Sequence, residues 1–331
     1  MEIDARRLRK KEKTFISNYI CCLAFRYSMR LRGSKIRDII LAMEDECEYV
    51  SSRGILKSCN IRNKVFASSD THLELEVFLS TKENDLVYVN SSAISEFFKD
   101  IFSQIKHRFI LVTGDSDVSV SVRDFEQYID DPKLIHWFSQ NLTTSHPKIS
   151  HLPIGLDYHT NTNEQEMHPW GIGSKPVVQE SLLKSVIQKP LTERYFACYV
   201  NFHFSEWGIN QRGDRQECLS QIPKELCYFE PHYIQRKATW DNMSRFVFVL
   251  CPYGGGLDTH RLWEALILGC IPIIKSSGLD PLFEDLNVCI VKSWSDVNLT
   301  RLLQHVETMK PTNKNKLTLN YWIEKIRLSS I

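Results

Sequence analysis

From Lys64 onward the chain alternates short apolar runs with longer stretches in which apolar residues recur every three or four positions. VFASS, DLVYVN, RFILVTG, LIHWFSQN and KISHLPIG read as strand-like, and AISEFFKDIFSQIK reads as a helix between the second and third. Apolar runs without polar alternation predict strands buried on both faces, and strands separated by helices predict βαβ units in a parallel sheet. Residues 160–190 turn polar and carry Pro169, Gly171, Gly173, Pro176 and Pro190, which reads as a linker. A second series follows it: YFACYVNF, a polar helix near Arg212 to Gln221, a strand at Leu226 to Phe229 and a helix before Arg245. FVFVLCP, THRLWEALILG, IPIIKSS and VCIVKSW complete it.

The expected fold class is therefore α/β, with two Rossmann-like domains facing across a cleft, an N-terminal helical extension and a C-terminal helix. Its expected parts are a basic helical extension over 1–60, a first α/β domain over 61–165, a linker over 166–192, a second α/β domain over 193–310 and a helix over 311–331. In the extension, Ile36, Ile39, Ile40 and Met43 are spaced for one buried helix face. A length of 331 residues, about twice that of a usual domain, agrees with two domains. In open α/β sheets ligands bind beyond the carboxyl ends of the strands, which makes the cleft the place to look for chemistry.

Charge narrows the partners. The 41 basic and 40 acidic side chains leave a formal net charge of +1, too little to make a global field for nucleic acid or a membrane surface, so any anion site is local. The apolar stretch from Phe15 to Phe25 follows a basic run, but it falls short of the ~20 residues of a membrane helix and contains Asn18, so no membrane span is expected. Ten cysteines without paired CxxC motifs read as buried free thiols of a soluble protein in the reducing cytoplasm. Histidines 136, 146, 151, 159 and 168 match no zinc spacing, and neither a metal nor a cofactor is expected.

Residues 246–276, FVFVLCPYGGGLDTHRLWEALILGCIPIIKS, carry the strongest chemical signal. An apolar strand leads through Tyr253 and a turn of Gly254, Gly255 and Gly256 to a helix with Asp258 or Thr259 as its expected cap. Glycine lets a backbone approach a ligand closely, and a helix start offers unpaired N–H groups and a positive dipole end to a diphosphate. Arg261 adds a charged fork there and His260 another donor, while Glu264, one turn on, is suited to two ribose hydroxyls. Arg212 and Arg215, after the first strand of the second series, are further candidates for the pyrophosphate. Neither GxGxxG nor a glycine–lysine–serine/threonine P-loop is present.

The string CPYGGGLDTHRLWEALILGCIPII resembles the C-terminal signature of exostosin-like glycosyltransferases, in which a Cys-Pro-x-Gly turn leads to an arginine-bearing helix and Gly-Cys-Ile-Pro. About 30 residues carry the resemblance, with YVNF, NQRGDRQECL and VKSW in the order such a domain would place them. It implies a GT-B architecture with the acceptor on the first domain, the nucleotide on the second and no strict need for metal. By motif match it places nucleotide binding on Arg261 and Glu264, with His260 and Asp258 beside them. The implied co-substrate is a nucleoside-diphosphate sugar, most commonly a UDP-sugar, and the implied acceptor an oligosaccharide or other glycan.

Inverting sugar transfer needs a base for the acceptor hydroxyl and cationic groups for the departing diphosphate. Loops ending the first-domain strands offer Asp70 with His72, Asn90, Asp115 with Asp117, and Asp157 with His159. The order of preference for the base is Asp117, Asp115, Asp70, His159. Tyr158 and Trp207 are candidate stacking platforms for the acceptor. Asp115-Ser-Asp117 also reads as the DxD metal site of a GT-A glycosyltransferase, which would clamp a divalent ion on the diphosphate. A non-catalytic carbohydrate-binding protein of the same fold and a sugar epimerase or phosphorylase are further readings.

Overall fold

The computed structural model describes residues 43–165, 167–202 and 213–329. The Phe15 to Phe25 stretch, its basic run, Ile36, Ile39 and Ile40, and Trp207 and Arg212 lie outside them.

The strands form two separate parallel sheets. The first holds β1 (Asp85–Asn90), β2 (Phe109–Gly114), β3 (Leu134–Ser139) and β4 (Ile149–His151) in that sequential order. A small antiparallel hairpin of β5 (Met167–His168) and β6 (Gly171–Ile172) follows. The second sheet runs β11 (Cys289–Val291), β10 (Ile271–Lys275), β9 (Phe246–Leu250), β7 (Tyr195–Val200), β8 (Cys227–Phe229), all parallel. Counted from β7, this is the doubly wound order 2-1-3-4-5, whose direction reverses between β7 and β9. The chain is thus an α/β protein built on parallel sheets.

Strand alternation explains how the sheets are covered. On β2, Phe109 and Leu111 point into a cluster with Phe97, Phe98, Phe125 and Trp137, while Ile110 and Val112 face the other way. On β9, Phe248 and Leu250 join Cys198, Ile273, Trp294 and Leu302, while Val249 faces the opposite side. The faces bearing Ile110, Val112 and Phe138 and those bearing Tyr199, Val249 and Ile274 meet in one shared central core. No described helix is long and apolar enough to cross a membrane.

The helices are α1 (Ser52–Lys57), α2 (Leu75–Leu79), α3 (Ile94–Glu96), α4 (Glu126–Ile129), α5 (Pro176–Lys184), α6 (Asp214–Gln221), α7 (Arg236–Met243), α8 (His260–Ile267), α9 (Leu299–Thr308) and α10 (Leu319–Leu328). The helix expected over 93–106 is a run of changing pitch, from 3-10 through α to π and back, as it wedges Phe97, Phe98, Ile101 and Phe102 into the core. The strand expected at VFASS is absent. Ile61 takes the slot beside β1, bridging Val87, and Val65 is exposed while Ser69 has φ 57°, so only Phe66 of that run is buried. The segment read as a linker contains α5. Its Glu180 accepts from the backbone N–H groups of Glu48 and Tyr49 and from Tyr158, tying residues 44–58 to the structure. That early segment also pairs with α10's leader through Val50 to Leu317 and Leu319 to Glu48. The eight described cysteines are free thiols.

Candidate functional site

In a doubly wound sheet ligands bind beyond the carboxyl ends of the strands at the reversal point, which here falls between β7 and β9. β7 is followed by Asn201 and Phe202, and β9 leads through Tyr253 into Gly254–Gly256 and α8. Arg261, in the first turn of α8, donates to Asn201 Oδ1, and its guanidinium carbon lies 5.9 Å from the Phe202 ring centre. Arg215, in the first turn of α6, stands 6.0 Å from the same ring and beside Gly254. Burial, then the nearby Arg261, pulls the Arg215 guanidinium down to about 10, with Asp117 and Asp214 opposing. Two cations thus converge on one aromatic ring at the switch point.

The first sheet supplies the facing wall. A Cβ on Gly255 would run into the Asp117 carboxylate, so a side chain at this position would displace Asp117. Asn141, beyond β3, has φ 50°, a region asparagine tolerates. Its Oδ1 accepts from the N–H groups of Leu257 (3.1 Å) and Asp258 (3.0 Å), while Nδ2 donates to Ser116 O (3.1 Å). Two amides of the turn that leads into α8 are therefore engaged by a side chain that follows β3 of the first sheet. Sequence reasoning passed over Asn141, although it follows an apolar strand just as Asp115 does, and that position was the available signal.

Of the two expected caps, Thr259 holds the position and Asp258 does not. Thr259 is the N-cap, but its side chain makes no capping bond. Asp258 is buried, accepting from Ile154 N (2.8 Å) of the first half and from Trp263 Nε1 (2.9 Å) of α8. Burial pushes its carboxyl up to about 6, against those hydrogen bonds and the nearby His260. His260 shares a 2.7 Å hydrogen bond with Gly155 O. Gly155 has φ 65° and sits against Val50, where a Cβ would strike backbone.

Glu264 is not left open for a ligand on both oxygens, because Oε1 accepts from Arg236 at 2.9 Å with both side chains largely buried. Arg236, absent from the sequence candidates, is held between Trp170 and Trp240 at 4.8 and 4.7 Å and donates to Asp157 O and Gln179 Oε1. Tyr253 is buried, with its hydroxyl donating to Lys275 O and Ser276 O at the end of β10. Tyr158 is 1% exposed and donates to Glu180, which removes its ring as a stacking platform.

The four base candidates lie in different settings. Asp70 accepts from the backbone of His72 in a local turn. Asp115 is buried against Arg53, with Nε to Oδ2 at 3.5 Å, and accepts from Ser68 Oγ at 3.0 Å. Asp117 faces Gly255. His159 has Nδ1 3.3 Å from Asp157 Oδ1 and Nε2 3.2 Å from Ser68 Oγ, and its ring centre is 6.2 Å from that of His260. Burial lowers the His159 pKa, with Arg53 and His260 adding to this and Asp157 and Asp115 opposing. Burial works against ionising Asp157, but His159, His260 and Arg236 hold its carboxyl well below the usual range. Among the described residues, no group of three or more His, Cys, Asp or Glu is placed to hold a metal ion.

Two open cavities of about 590 and 660 Å³ lie elsewhere, one lined by Lys57, Asn60, Arg62 and Glu76 and the other by Leu79, Lys82, Gln104 and His107. The first is rimmed by charges of both signs, Lys57 and Arg62 against Asp45 and Glu76, and neither cavity includes a residue of the reversal point.

No protein-family model matches the chain, and no curated protein matches it. Among solved structures it is similar to the OtsA apo structure, at 10% identity over 77% of this chain and 76% of that one, with a TM-score of 0.35. It is also similar to the N-terminal domain of Candida albicans trehalose-6-phosphate phosphatase, at 12% identity over 77% and 69%, with a TM-score of 0.32.

Proposed function

We propose that the protein is a GT-B type glycosyltransferase that moves a sugar from a nucleoside-diphosphate sugar, with UDP as the first nucleotide to try, to a hydroxyl of a glycan. The observation that carries this reading is the convergence of Arg215 and Arg261 on Phe202 beside the Gly254 turn, at the reversal point of the second sheet. A doubly wound sheet binds its ligand at that point, and two guanidinium groups there suit a diphosphate, whose charge grows as it leaves. Glu264 Oε1 is tied to Arg236, so any ribose contact falls to its second oxygen.

The reaction is read as inverting and independent of metal, with the base supplied by the first half. The GT-A alternative is less favoured, because Asp115 is bound to Arg53 and Ser68 while Asp117 faces Gly255, rather than both turning to one point. Thermal-shift titration with UDP- and GDP-sugars tests the reading. One sugar nucleotide should raise the midpoint of the wild type and fail to do so for Arg261→Ala and Arg215→Ala. Full turnover by Arg261→Ala would remove the assignment, and a protein without selective stabilisation would be a carbohydrate-binding relative instead.

A further inference from the structure

The side chains around His159 form a continuous chain whose polarity is fixed by a shortage of protons. Asp157 Oδ1 lies against His159 Nδ1 at 3.3 Å and also accepts from Thr160 N at 2.9 Å. An ionised carboxylate can only accept, so the proton of a neutral imidazole belongs on Nδ1 and the lone pair on Nε2. Ser68 Oγ meets that lone pair at 3.2 Å, but it also lies 3.0 Å from Asp115 Oδ1 and accepts from Arg53 at 3.3 Å. A hydroxyl has one proton and here two acceptors. When the proton is given to Asp115, His159 Nε2 is left with an unshared pair, and Ser68 loses no hydrogen bond.

We infer that Asp157 and His159 act as an orienter and base, and that the exposed Ser68 hydroxyl holds the place of the acceptor's hydroxyl until one arrives. This rests on the glycosyltransferase reading above. The dyad follows β4 of the first sheet and faces His260 at the start of α8, one residue before Arg261, so it lies across the seam from the expected diphosphate site. In the step, the acceptor O–H bond breaks and its proton passes to His159 Nε2. The acceptor oxygen bonds to the anomeric carbon as that carbon's bond to phosphate oxygen breaks, and the electron pair leaves on the diphosphate beside Arg215 and Arg261. Solvent then takes the proton from His159. Asp157 is a positioning residue, since it meets the imidazole's far nitrogen rather than the reacting groups.

Asp157, Arg53, Asp115 and His260 are the charged and titratable groups that face His159. Burial lowers its pKa, so the base form is populated at and above neutral pH, and the acidic limb of kcat/KM should lie below the ordinary histidine value of 6.5. Asp157 opposes that lowering, so Asp157→Asn should move the limb to still lower pH, with kcat reduced and KM for the acceptor little changed.

The test uses the full chain, a panel of UDP- and GDP-sugars, oligosaccharide acceptors and a measurement of nucleotide release. His159→Ala, with His159→Gln as a less disruptive second variant, should keep its midpoint shift with the sugar nucleotide while kcat falls by about 10²–10⁴-fold, the usual loss for a general base. Retained donor binding with kcat within threefold of wild type would overturn the dyad alone. Absence of any donor-induced shift in the wild type would remove the donor-site reading and the dyad with it. Covalent labelling of Ser68 by a fluorophosphonate, lost in His159→Ala, would also overturn the assignment by making Ser68 a nucleophile.

Discussion

At the scale of single residues, one carboxylate separates local appearance from actual employment. Asp258 looked like a cap because a short acid before a helix usually is one, but its buried oxygens hold Ile154 of the opposite half and Trp263. Its carboxyl ionises at about 6 in the folded protein against 3.8 ordinarily. Between those values the folded protein retains a proton that the unfolded chain has released, so this group's contribution to stability falls as pH rises through the window and is level above it. The loss is on the order of 3 kcal/mol. Denaturant titrations from pH 4 to 7 should show the wild type losing stability relative to Asp258→Asn between pH 4 and 6, and a difference independent of pH would count against it. The candidates that sequence could nominate were those near glycine turns or at strand ends, such as Arg215, Arg261 and His159. Arg236, Arg53 and Ser68 could not be nominated, because their importance comes from partners 15 to 91 positions away.

Elements were legible where the apolar signal was strong. β2, β3, β9, β10 and α8 lie where the pattern put them, since runs such as FILVTG and FVFVL suit only a strand buried on both faces. The pattern overreached at VFASS, where Phe66 alone is buried, and within Ser91–Gln104, where four close-set core residues change the helix pitch. What joins the elements was out of reach of periodicity. Arg236 of α7 binds Gln179 of α5, Glu264 of α8 and the carbonyl of Asp157 at once, between two indole rings. Arg236→Ala should therefore destabilise the fold by about 3–5 kcal/mol in urea titration, because it leaves Glu264 largely buried without its cation and strips two acceptors. A loss below about 1 kcal/mol would show that these helices are held by packing alone.

For the molecule as a whole, the two sheets were predictable as parallel α/β units, but their shared core was not. Ile110, Val112 and Phe138 of one sheet lie in the same apolar cluster as Tyr199, Val249 and Ile274 of the other. Scanning calorimetry should accordingly give a single unfolding transition, with loss of far-ultraviolet and near-ultraviolet signals coinciding. Two resolved transitions would mean that each sheet folds on its own. Asn141 and Asp258 cross between the halves as buried polar straps, and His260 adds a third through Gly155. These straps set a fixed gauge for the seam. A hinged jaw sorts its contents after closing on them, whereas a slot of fixed gauge sorts by girth at the mouth and leaves the pace of exchange to the loops along its rim.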